Sequence, residues 1–145
     1  MTQPREPEPA DAETDARFPS GPWKGFFLQP VRPGRHWMEL HLTFRGGRLS
    51  GEGRAWDGEI VISGRYDVSD GQCRFTKTYI GRHSLYYNGY NEGKGIWGRW
   101  EWLTNAGWHG GFHIWPVGQG YSDPTTLFEA VELPVVAEAA VLEPV

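Results

Sequence analysis

Between residues 20 and 118, apolar and polar positions alternate in short runs that recur about every ten to twelve residues, each closed by a turn signal. In HWMELHLTFR, Met38, Leu40, Leu42 and Phe44 fall on one face of an extended chain, and Trp37, Glu39, His41 and Thr43 on the other. The same period predicts strands near 22–29, 36–44, 48–56, 59–66, 72–80, 83–90, 95–103 and 110–116. Turn residues that tolerate positive φ separate them at Pro33-Gly34, Gly46-Gly47, Asp57-Gly58, Asp70-Gly71, Gly81, Asn91 to Gly93 and Asn105 to Gly107. Consecutive hairpins make a meander. With no helical stretch to cover a second face, eight such strands are expected to close on themselves as an all-β, antiparallel up-and-down barrel.

Pairing each hairpin through its turn sorts the inward side chains into layers. One reads Leu40, Gly53, Ile62, Lys77, Leu85, Trp100 and Phe112; a second reads Met38, Ala55, Ile60, Tyr79, His83 and Trp102. The third reads Leu42, Gly51, Gly64, Phe75, Tyr87, Gly98 and Ile114. On the outside, the pairing sets Glu39 against Arg54 and Ser63 against Thr76, which is favourable. It also sets Arg65 against Arg74, which is not.

Composition divides the chain into three. Residues 1–19 carry five acids and two bases and hold no aromatic residue before Phe18; they are expected to form a disordered, Pro-rich acidic tail. Residues 20–118, the barrel domain, carry twelve bases and eight acids. Residues 119–145 carry five acids and no base, and are expected to be a weakly structured acidic tail. The chain has one cysteine, Cys73, so no internal disulfide can form. With no apolar leader and no run of eighteen apolar residues, a cytoplasmic, soluble protein is expected, with no membrane partner.

The residue with the most chemistry is Lys77, placed inward by parity with no inward carboxylate to pair it. A buried ammonium without a partner either gives up its proton or holds an anion or water. Together with Tyr66, Tyr79, His83, Tyr87 and Trp100 it is expected to line a pocket for a small anionic or aromatic molecule. The glycines of the inner layers are expected to leave part of the interior open. The competing expectation is that Lys77 snorkels to a barrel mouth and that the glycines only permit strand coiling.

No catalytic signature, cofactor motif or phosphate loop is present. His109 and His113 share a strand face but stand roughly 13 Å apart, too far to hold one ion, so neither they nor His36, His41 and His83 predict a metal site. An enzymatic reading would make Lys77 a low-pKa amine acting on an electrophile. Outer aromatics (Phe26, Trp37, Tyr86, Trp97, Trp108 and Trp115) provide for a homo-oligomer interface or a seat for a tail. Beside Arg54, Arg65, Arg74 and Arg99 they also offer a protein- or nucleic-acid-binding face, although nucleic acid is not the expected partner.

Gly21-Pro22-Trp23, opening the first strand of this meander, resembles the start of the calycin class of barrels, which includes lipocalins, avidins and fatty-acid-binding proteins. The resemblance covers residues 20–118 at the level of pattern. It implies a ligand held inside the barrel and makes Trp23 the counterpart of the lipocalin tryptophan at the closed end, hence a further ligand-site candidate. The second lipocalin motif and the early Asn and Ser of avidin-like proteins are missing, so biotin binding is not implied. The series Ile60-x-Ile62-x-Gly64-x-Tyr66, Lys77-x-Tyr79 and His83-x-Leu85-x-Tyr87-x-Gly89 also resembles a pattern of small barrel proteins to which no activity attaches.

Overall fold

The computed structural model describes residues 12–104 and 107–118. Eight strands follow in chain order: β1 Gly21–Phe27, β2 His36–Arg45, β3 Arg48–Ala55, β4 Gly58–Tyr66, β5 Gln72–Tyr79, β6 Ser84–Asn91, β7 Ile96–Glu101 and β8 His109–Pro116. Each pairs antiparallel with its sequence neighbour, and β8 pairs with β1 to close an up-and-down barrel. Among the described residues, no helix is long and apolar enough to cross a membrane.

The predicted strands match the observed ones to within one or two residues at each end, because alternation and turn chemistry agree. The hairpin at Gly46-Gly47 shows why: both residues have positive φ, 56° and 84°, the conformation that a two-residue turn matching strand twist requires. Register follows the expectation at β2–β3, β4–β5 and β5–β6, including Glu39 opposite Arg54, Ile62 opposite Lys77 and Arg65 opposite Arg74. At β3–β4, β6–β7 and β7–β8 it slips by two residues. Gly53 faces Ile60, Tyr87 faces Trp100, and Trp100 faces Gly110. A slip of two leaves every side chain on its predicted face, since side-chain direction repeats every second residue.

The inward face forms one core in which Leu42, Phe44, Ile60, Tyr87, Phe112 and Ile114 are almost wholly buried. The inner glycines do not hollow it. A Cβ at Gly53 would run into the Glu39 carbonyl, and one at Gly64 into the Arg74 carbonyl. These glycines let neighbouring strands coil close together, and the expectation that they open the interior is corrected accordingly.

Two further expectations change. Residues 12–19, placed by composition in a disordered tail, lie against one end of the barrel. Ala12 bridges to Arg45, and Phe18 is fully buried between Phe44 and Tyr66, with ring centroids 5.4 and 4.8 Å away. One large ring in a polar segment is enough to anchor it, and an average over nineteen residues conceals that. Residues 1–11 and the tail 119–145 lie outside the described residues. On the outer face, Phe26 and Trp115 are buried with Leu28 in a small second cluster, to which half-buried Trp97 adds, so β8 is covered on both sides. Trp37, at 48% exposure, remains an open outer ring.

Candidate ligand-binding mouth

An up-and-down meander sends alternate connections to the same end. The segments after β1, β3, β5 and β7 therefore meet, and they surround a cavity of about 290 Å³. Residues 28–35 contribute Gln29, Val31 and Arg32; the β3–β4 turn contributes Trp56 and Asp57; His83 comes from the β5–β6 turn, and Trp102 and Trp108 from the β7–β8 connection. The strand ends beneath supply Phe27, Tyr79, Leu85 and Trp100.

Aromatic rings make up most of this wall, and they touch in two chains. His83 stacks on Trp102 (4.4 Å, 21°) and tilts against Tyr79, and Trp102 meets Trp108 edge-on at 5.9 Å. In the other chain Trp56 meets His36, His36 meets Phe27, and Phe27 stands edge-on to Trp100. Trp100 is held from both sides. Its indole Nε1–H donates to the Leu28 carbonyl at 2.8 Å, and a Cβ on Gly110 would come within 2.7 Å of the same nitrogen. Glycine at 110 is thus what lets the indole lie across β8.

Lys77 sits directly behind this wall, with no exposed surface. Its Nζ lies 3.5 Å from the Met38 sulfur and 3.9, 4.9 and 5.1 Å from the ring centres of Phe27, Tyr79 and Tyr87. Burial pushes its pKa from the ordinary 10.5 down to about 7, while the charge of Asp57 pulls it part of the way back. The ring faces also favour the cation, so the amine is poised between its two forms near neutral pH. His83 titrates below its ordinary 6.5, first through burial and then through the nearby Arg82 charge, and so is a neutral imidazole at pH 7. Burial raises the phenols of Tyr79 and Tyr87, and both stay protonated.

Among the described residues, two buried polar atoms of the mouth have no hydrogen-bond partner: Asp57 Oδ1, an acceptor on a carboxylate that the Tyr79 phenol also approaches, and Trp108 Nε1, a donor. At the rim, the Arg32 guanidinium lies 4.9 Å above the Trp56 ring, and Arg82 donates to the Asp57 carbonyl while lying 5.1 Å from the Tyr79 ring. The arrangement suits a flat apolar ring with a few polar atoms at its edge. A broader groove of about 660 Å³ runs over the outside of β1–β3, but its charged walls, Lys24, Glu39 and Arg54, stand opposite one another in the register.

Of the residues expected to line a ligand site, Tyr79, His83 and Trp100 are in the mouth, and Lys77 and Tyr87 lie immediately behind it. Tyr66 and Trp23 belong to the opposite end, where the Tyr66 hydroxyl donates to Glu13 at 2.6 Å and the Trp23 indole donates to the Pro19 carbonyl at 2.8 Å. They are 53 and 4 residues from those partners and take no part in the cavity. Phe27, Arg32, Trp56, Asp57 and Trp108 were not expected there. The signal that could have found them is topological, since four of the eight tryptophans, Trp56, Trp100, Trp102 and Trp108, fall on the β3–β4 turn, the end of β7 and the β7–β8 connection, which share this end. His109 and His113 lie on the outer side of β8, where their ring nitrogens face the carbonyls of Gly107 and Lys94. Compared with protein-family models, with curated proteins and with solved structures, the chain matches none.

Proposed function

We propose that this is a non-enzymatic, calycin-like binding barrel whose mouth takes a small planar aromatic molecule, with any acidic substituent of that molecule facing Arg32. The observation that carries the reading is the ring-walled cavity with one unpartnered acceptor and one unpartnered donor among its residues. Leaving such a buried atom unpaired costs about 1–3 kcal/mol, so a ligand that supplies an N–H to Asp57 and an acceptor to Trp108 gains from both. Lys77 behind the wall adds a cation that an anionic ligand strengthens and a neutral one does not need.

The test is native mass spectrometry of the purified protein, with a denatured run to release any bound molecule, followed by titration with 6-amino-2-naphthoate, which offers both an N–H donor and a carboxylate, read by tryptophan fluorescence. Saturable quenching that Trp108→Ala weakens at least tenfold is the expected result. A clean mass together with fluorescence that 6-amino-2-naphthoate leaves unchanged would overturn the reading.

A further inference from the structure

The outside of the barrel treats its arginines in two ways. Arg54 on β3 stands between Glu39 on β2 and Glu59 on β4. Arg65 on β4, by contrast, stands between Arg48 on β3 and Arg74 on β5. The same row runs on through Asn88 on β6 to Arg99 on β7, and all five side chains are exposed. Neighbouring strands lie about 4.8 Å apart, so the row covers roughly 19 Å of the barrel's girth.

Like charges placed directly opposite disfavour the fold, and among the described residues Arg99 alone in the row is held in an ion pair, with Glu101. Toward the mouth, the next row is Ser50, Ser63, Thr76 and Tyr86, ending at Glu101, which pairs with Arg99 at 3.3 Å. Toward the closed end, the row reads Asp67, Gln72, Tyr90 and Trp97. The Asp67 carboxylate accepts from the backbone N–H and hydroxyl of Ser69, and the nearby Asp70 carboxylate accepts from the Gln72 N–H. What faces solvent here is a band of guanidiniums edged by hydroxyl and amide groups and, at its margins, by the carboxylates of Glu101, Asp67 and Asp70, with three aromatic side chains (Tyr86, Tyr90 and Trp97) on β6 and β7.

We propose that this band binds single-stranded nucleic acid, with phosphates along Arg48, Arg65, Arg74 and Arg99 and bases stacked on the neighbouring rings. Unpaired bases expose faces that a convex sheet surface can reach, and a cationic track beside stacking rings is the general solution for such strands. Tyr90, 44% exposed, is the most open of the three rings. The chain as a whole carries −4, so its overall field does not draw a polyanion in. Attraction has to come from the band itself, and it is correspondingly sensitive to salt.

The test is fluorescence anisotropy of the full chain with a labelled twelve-nucleotide oligothymidylate at 50 and 200 mM NaCl. Four phosphate contacts predict a slope of log affinity against log salt of about −2.8, or roughly a 50-fold loss over that range. Arg65→Ser with Arg74→Ser halves the slope to about −1.4, and Tyr90→Ala weakens binding roughly tenfold without changing it. These surface changes spare every residue of the mouth, so naphthoate binding by the same variants separates this result from the fate of the ligand reading. No binding at 50 mM salt, or binding that the double arginine variant leaves intact, overturns the proposal. It is equally overturned if Tyr90→Ala has no effect and inorganic polyphosphate competes as well as the oligonucleotide, which would mark a site for any polyanion.

Discussion

At the closed end of the barrel, residues 12–20 cross the opening and the polar atoms of its rings find partners: Tyr66 with Glu13, Trp23 with Pro19. Arg17 ties the segment down further, donating to the carbonyls of Val68 and Asn91, while the Asn91 amide returns a bond to Arg17 at 2.7 Å. At the mouth, more rings are gathered, yet Trp56 is 55% exposed, and Asp57 and Trp108 each keep a buried atom unpaired. Both ends face the same physical problem, a ring of strand termini around apolar side chains. One end solves it with residues 12–20, and at the other the described residues leave two polar atoms unpaired. That difference is why the mouth, and not the better-packed aromatic end, is read as the site.

The comparison breaks most visibly in stability. Phe18→Ala removes a fully buried ring from between Phe44 and Tyr66 and is expected to cost about 3–5 kcal/mol, read as a drop in the urea midpoint at unchanged slope. Trp102→Ala removes a larger but half-buried ring from the mouth and is expected to cost about 1 kcal/mol, because solvent already reaches much of it. Equal losses at the two sites would make the mouth a structural cap and remove the distinction.

Between the two ends, Lys77 makes stability depend on pH. Unfolded, its amine titrates near 10.5; folded, at about 7. From pH 7 upward the unfolded chain holds a proton that the folded one has released, so stability rises at about 1.4 kcal/mol per pH unit. Cys73 works the other way, because burial raises its thiol from 9.0 to about 12 and stability it contributes is lost as pH climbs past 9. The tyrosines with raised phenols add to that loss above pH 10. His83 and His113, both lowered by burial, change nothing above their ordinary 6.5. The window is therefore pH 7 to 9. Lys77→Met, close in shape and uncharged, is expected to flatten the rise there and to be the more stable protein at pH 7, by urea unfolding at stepped pH. A wild-type profile already flat between pH 7 and 9 would mean that the surrounding rings hold the ammonium as comfortably as water does.

Much of this was legible in the chain. Met38, Leu40, Leu42 and Phe44 alternate cleanly, and Lys77 shares parity with Phe75 and Tyr79, so the barrel and its buried amine follow from period-2 reasoning even where register slipped by two. Parity has no purchase on connections. Trp56, Asp57 and Trp108 lie outside the strands, where no rule of alternation says which way a side chain points, so the mouth does not follow from period-2 reasoning. The inner glycines misled for a different reason: a missing side chain in sequence reads as empty volume, whereas in the barrel that volume is taken by a neighbouring strand's backbone. Tyr66 and Tyr87 share inward parity too, but which end of the barrel each serves depends on register and on Phe18.

Those two tyrosines give the finest test of the contrast. Tyr66→Phe deletes the hydroxyl that donates to Glu13, so it unties part of the segment that closes the barrel; a loss of about 1 kcal/mol is expected. Tyr87→Phe deletes a hydroxyl that is fully buried and has no partner among the described residues, on a ring stacked at 4.9 Å on Phe75 that the substitution keeps. Removing an unpaired polar atom relieves its desolvation, and stability is expected to hold or to rise by up to about 1 kcal/mol. The same chemical change thus has opposite signs at two inward positions, because one oxygen was satisfied when the chain closed its own end and the other was not. If Tyr87→Phe instead destabilises by as much as Tyr66→Phe, its hydroxyl has a bound partner in solution, and the reach of the ligand site extends past the Phe27 and Tyr79 wall to the floor where Lys77 lies.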